Sequence, residues 1–158
     1  MTQIEGVTLA SRSDWTVLRP LLFESIGQTL EMVLVTMIVG GILGLVLGVV
    51  LYGTRPGNLF ENAVVYRILD VIVNIIRPIP FIIFLAAMQP LTIKVIGTSI
   101  GTAAAIFPMI IMCTMATSRL VEQNLVPVDS GVIEAARAMG ASKFTIVRTV
   151  LIPEALAP

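Results

Sequence analysis

Near the C-terminus, Glu134-Ala135-Ala136, then Gly140, then Val150 and Ile152-Pro153 form a spaced set of acidic, small and apolar residues. Such a set suits docking rather than catalysis, or else is a surface helix with no partner. Ala135, Ala136 and Ala138 let a partner backbone come close to a short helix ending at Met139. Gly140 supplies the positive φ that ends that helix cheaply. Ser142 is suited to cap a second helix, Lys143 to Ile152, that Pro153 stops. In that second helix Phe144, Ile146, Val147, Val150 and Leu151 are apolar and suited to anchoring. A second candidate pair, Asn74 and Arg77, is polar in apolar surroundings and suited to facing a water-filled path. Catalytic classes find little here: the sequence has no histidine and a single Cys113 in an apolar run, so no disulfide and no histidine-bearing metal or catalytic site is available. No nucleophile–base pair, metal-ligand set or G-x-x-x-x-G-K-[ST] segment is present either, so any ATP hydrolysis belongs to a partner.

The elements that must position these residues are set by an apolar composition. Of 158 residues 56% are hydrophobic and 13% charged, about half the charge of a soluble domain. Ten basic and ten acidic residues cancel, which leaves no field to steer nucleic acid. Met32 to Tyr52 is uncharged for 21 residues, enough to span a bilayer core of about 30 Å. Within this first span (near 30–52), Thr36, Gly40, Gly44 and Gly48 recur every fourth residue and predict a close helix–helix face. Gly53 to Asn58 reads as a turn. Beyond it Val64, Ile68, Val71, Ile72, Ile75 and Ile76 share one helical face, and Asn62, Tyr66, Asp70, Asn74 and Arg77 the other. This helix runs into Arg77-Pro78-Ile79-Pro80 and an apolar stretch. It either lies along the interface and dives at the prolines, or spans (near 66–89) with its polar stripe facing water. Gln89-Pro90 to Gly97 reads as a loop carrying Lys94, and Ser99 to Ser118 as a third span (near 99–118) with Pro108 as a kink. Gly97, Gly101 and Ala105 repeat the four-residue spacing, which makes Gly101 a packing candidate. At the other end, Ser13-Asp14 is a candidate helix start before Trp15.

Basic residues set an orientation. With the N-terminus outside, Arg12, Arg19 and Lys94 flank the outer side, and Arg55, Arg67, Arg119, Arg137, Lys143 and Arg148 the inner. The 130–153 segment then faces the cytoplasm. Its spacing of Ala136, Gly140 and Ile146 also fits a DNA-binding helix-turn-helix, but the second helix is mostly apolar and lacks the side chains that read base edges.

The spaced set Glu134-Ala135-Ala136, Gly140, Val150-x-Ile152-Pro153 resembles the cytoplasmic EAA loop of ABC-importer permeases, with Val150 and Ile152 where that family usually has Ile and Leu. Leu51 to Gly57, Asn74 to Ile83 and Gly97 to Gly101 are similar to methionine-importer permeases, with Pro78 where serine is expected. The resemblance covers roughly residues 25–158. It implies an all-α integral membrane protein of the type I ABC-importer fold, with about three transmembrane helices and a helix-turn-helix coupling loop. Residues 1–158 then form one permease domain, incomplete at the C-terminus because the family carries two further spans. The implied setting is a bacterial plasma membrane, crossed several times. The implied partners are an ABC ATPase holding ATP and Mg, a second permease copy, an extracytoplasmic binding protein and the lipid bilayer, with no nucleic acid and no cofactor on this chain. In this family the first loop helix sits in a groove of the ATPase, so Glu134 would fix the helix start or a polar contact, Ala135 and Ala136 permit approach, and Gly140 form the turn. The alternative reading is a non-transporting membrane scaffold that assembles through its glycine faces, or a truncated remnant.

Overall fold

A computed structural model describes residues 15–128 and 130–153, all helix and turn. The Ser13-Asp14 helix start and Arg12 lie outside the described residues. Helix α1 (Trp15–Val35), a π turn (Thr36–Gly40) and α2 (Gly41–Thr54) follow one another without a break. Leu18–Thr54 is thus one apolar rod of 37 residues. Gly40, Gly44 and Gly48 on it meet α5 (Thr102–Leu125) at close range. A Cβ added at Gly40 would lie 2.7 Å from Cys113 Cβ; at Gly44, 2.5 Å from Thr117 Cβ; at Gly48, 2.6 Å from the Ser118 carbonyl. Only residues without side chains permit this approach. Across the same seam the Thr114 hydroxyl donates to the Gly40 carbonyl at 3.4 Å. The π turn helps the register. In an α-helix every fourth residue drifts by about 40° around the axis, and a wider turn slows that drift. Thr36 and Gly40 accordingly stay buried with Gly44 and Gly48.

The turn after α2 is closed by Asn58 Nδ2 donating to the Tyr52 carbonyl at 2.7 Å, and by the amides of Phe60 and Asn62 on Gly53 and Thr54, each at 3.0 Å. Asn62 then caps α3 (Ala63–Ile76), its side chain accepting the Val65 amide at 3.1 Å. Helix α3 is inside-out by soluble-protein standards. Its apolar residues Val64, Ile68, Val71, Ile72 and Ile75 are exposed, while Tyr66 and Asp70 turn toward α5. At Arg77-Pro78-Ile79-Pro80 the chain bends by 115° into α4 (Phe81–Ile96). Prolines remove amide donors and disfavour helix in the residue before them, so the break falls here.

Two expectations are corrected. Residues 89–97 are not a loop: α4 runs through Pro90, an interior proline that membrane helices tolerate. The true stop is Gly97, at φ 88°, whose amide closes on Ile93 O at 2.9 Å. Gly101 is not a packing glycine: it precedes α5 at φ 103°, and an added Cβ would meet nothing within 4 Å. The third long helix begins and ends later than expected, at Thr102 and Leu125, and carries Arg119 and Glu122 in its last turns. Among the described residues, two helices are long and apolar enough to cross a membrane, or three when the bent α3–α4 pair is taken as one span.

Candidate functional site

Helix α6 (Ser130–Ala138), a tight turn, α7 (Lys143–Ile146) and a second π turn (Val147–Leu151) make a helix-turn-helix seated on the ends of α2 and α5. The first helix opens at Ser130, earlier than Glu134, which brings Ile133 onto its inward side. Ile133, Ala136, Ile146 and Leu151 share one core with Tyr52, Leu59 and Leu125, and Val121 and Val128 pack against it. The turn is a Schellman closure: the Gly140 amide reaches Arg137 O at 2.9 Å and the Ala141 amide reaches Ala136 O at 3.1 Å. It requires the left-handed backbone of Gly140, at φ 80°. Ser142 caps α7 as its type predicts, accepting the Thr145 amide at 3.2 Å. Apolar burial therefore ties the unit to the bundle, and the two caps fix its internal turn.

Its outward surface differs from the one the sequence suggests. Glu134 and Ala135 are exposed, but Ala136 is 5% exposed and faces the chain's own core. Its small side chain lets α6 approach the bundle, not a partner. Phe144, expected to anchor, stands out at 73% exposure, and Met139 at 81%. These two large apolar side chains flank Gly140 and its turn at the tip. Beside them the Lys143 ammonium lies 5.4 Å from the Phe60 ring centre, a cation–π distance. Val150 and Ile152 are half-buried and Pro153 is exposed behind the tip.

Asn74 and Arg77 are exposed at the α3–α4 bend. Neither lines the cleft of about 420 Å³ between α4 and α5, whose polar groups are Gln89, Thr92 and Ser99.

Sequence reasoning missed a charged cluster between α3, α5 and the turn after α2. Glu122 is 2% exposed. Its Oε2 accepts Arg119 Nη1 at 2.6 Å, and the same nitrogen reaches Asp70 Oδ1 at 3.0 Å. Its Oε1 accepts the Tyr66 hydroxyl at 3.3 Å and lies 3.8 Å from Arg55 Nη1. The Arg55 guanidinium also sits 5.9 Å from the Tyr66 ring centre. Two cations and two carboxylates balance, so a buried carboxylate keeps its charge fully compensated. The available signal was the polar stripe Tyr66–Asp70 on α3 together with Arg119 and Glu122 three residues apart on α5.

Comparison with known proteins agrees with this architecture. The chain is 48% identical over 136 residues to the D-methionine transport system permease protein MetI of Salmonella typhi, and equally to that of Escherichia coli K12. In both cases 86% of this chain is covered, and it spans 63% of the relative's length. Two solved inward-facing structures of the MetNI methionine ABC transporter superpose with TM-scores of 0.80 and 0.84 at 48% and 47% identity. They cover 86% and 88% of this chain, which spans 63% and 64% of theirs. Residues 40–158 match the family model for the binding-protein-dependent transport system inner membrane component, and the chain belongs to that family.

Proposed function

We propose that this chain is the membrane-spanning permease subunit of an ATP-driven importer, and that the α6–α7 tip is where the ATPase docks. One observation carries the reading: a helix-turn-helix locked onto the bundle by a shared core presents Met139 and Phe144 outward. Large exposed apolar side chains on a rigid tip suit a protein partner better than water. Glu134 and Ala135 lie on the same exposed side and supply a polar contact and room for a backbone. Closure of the ATPase on ATP and Mg, both held by that partner, pulls the tip. Its tie to α2 and α5 then tilts the spans to alternate access. The relatives' methionine transport supports methionine, including its D-isomer, as substrate. A second copy of the chain and an extracytoplasmic binding protein complete the assembly. In the orientation set by the basic residues, the N-terminus is outside and the tip cytoplasmic.

The scaffold alternative loses its assembly surface, because Gly40, Gly44 and Gly48 are already filled by α5.

Co-expression with an ABC ATPase from the same genome tests the docking. Met139→Glu and Phe144→Glu should each abolish ATPase co-purification and methionine uptake while leaving membrane insertion intact. Undiminished co-purification in both variants would remove the tip from the docking role.

A further inference from the structure

We infer that the Arg55–Glu122–Arg119–Asp70 cluster is the link that carries movement of the docked tip into the bent α3–α4 pair, with Glu122 as its central positioning residue. The inference rests on the docking role proposed above and adds the route by which docking reaches the far helices.

The geometry points this way for three reasons. Glu122 lies on α5 between Val121 and Leu125, both packed on the tip's core, so displacement of the tip reaches it directly. Helix α3 gains little from apolar packing: its apolar side faces outward, and Val73 is its one fully buried residue. Tyr66 and Asp70 therefore hold α3 to α5 through the Glu122 and Arg119 contacts at 3.3 and 3.0 Å. Finally, charge-assisted bonds are short, directional and strengthened where water is scarce, so they pass on a displacement that apolar side chains would absorb by sliding. Arg55 adds the end of α2 to the same carboxylate, so one group ties three segments.

A simple brace for the fold would use the same contacts, and the assay must separate the two. In proteoliposomes holding the assembled transporter, methionine uptake and ATP hydrolysis are measured together for Glu122→Gln and Asp70→Asn. Asp70 is the milder site, being partly exposed, and keeps the test open should Glu122→Gln fail to assemble. The expected result is retained ATPase co-purification and hydrolysis, with uptake per ATP reduced by about tenfold, within the usual range of coupling between sites. Arg67→Gln, on the outward side of α3, should change nothing. Wild-type uptake per ATP in both single variants would overturn the inference. So would parallel loss of assembly, hydrolysis and uptake in both, the mark of a brace. A wild-type chain that binds no ATPase would bring down the docking role and this inference together.

Discussion

Replacing Gly48 by alanine places one methyl group where α2 and α5 touch. That methyl carbon would lie 2.6 Å from the Ser118 carbonyl oxygen, 2.6 Å from Val121 Cβ and 2.8 Å from Val121 Cγ1. Non-bonded carbons rest at about 3.5–4.0 Å, so the helices must part by roughly 1 Å. Rotating Val121 relieves one contact, but the Ser118 oxygen is helix backbone and cannot turn away. Overpacking of this kind costs about 1–3 kcal/mol, and a backbone clash belongs at the upper end. Alanine's better helix propensity returns about 1 kcal/mol. The net loss is about 2 kcal/mol, roughly a thirtyfold change in the unfolding equilibrium. Gly41→Ala is the matched control, because an added Cβ there meets nothing within 4 Å. It should be neutral or stabilising by up to about 1 kcal/mol. Both variants are read by circular dichroism during denaturation in mixed detergent micelles. A Gly48→Ala protein as stable as Gly41→Ala would refute the close approach of α2 to α5.

Two further outcomes concern the tip. Gly140→Val forces a β-branched residue to φ 80°, at a cost of about 1–2 kcal/mol; limited proteolysis should cut faster around residues 137–142, with membrane insertion unchanged. Ser142→Ala removes the cap on the Thr145 amide, worth about 1 kcal/mol, so hydrogen exchange at Thr145 should quicken roughly fivefold.

Local signals in the chain proved sound where one residue dictates its own surroundings. Gly140 needs its positive φ for reasons internal to a tight turn, and Ser142 caps because its hydroxyl reaches an amide three residues on. The glycine spacing at 40, 44 and 48 was legible as a face, but nothing in it named α5 as the occupant. Errors arose where a local cue competed with a wider one. Gln89-Pro90 looked like a break, yet α4 continues because one lost amide bond is small against a helix otherwise intact. Gly97 and Gly101 kept the four-residue spacing while serving as a helix stop and a helix approach, so periodicity imitated packing. The size of Ala136 permits a close approach, but which body approaches depends on the direction of α6, which tertiary contact sets. The charged cluster escaped because its members come from three segments, with Asp70 and Arg119 49 residues apart.

The orientation of α3 also changes how tolerance to substitution should be distributed along it. In a water-soluble helix the apolar side is the constrained one and the polar side drifts freely. Here the rule runs backwards: Val64, Ile68, Val71, Ile72 and Ile75 look outward from the described chain, and exchange for another hydrocarbon of similar size removes little of their contact with it. The restricted positions are Tyr66 and Asp70, each held to a particular partner at a particular distance. A mutational scan of residues 63–76 would therefore show its sensitive stripe on the hydrophilic side, half a turn away from where a hydropathy plot would put it.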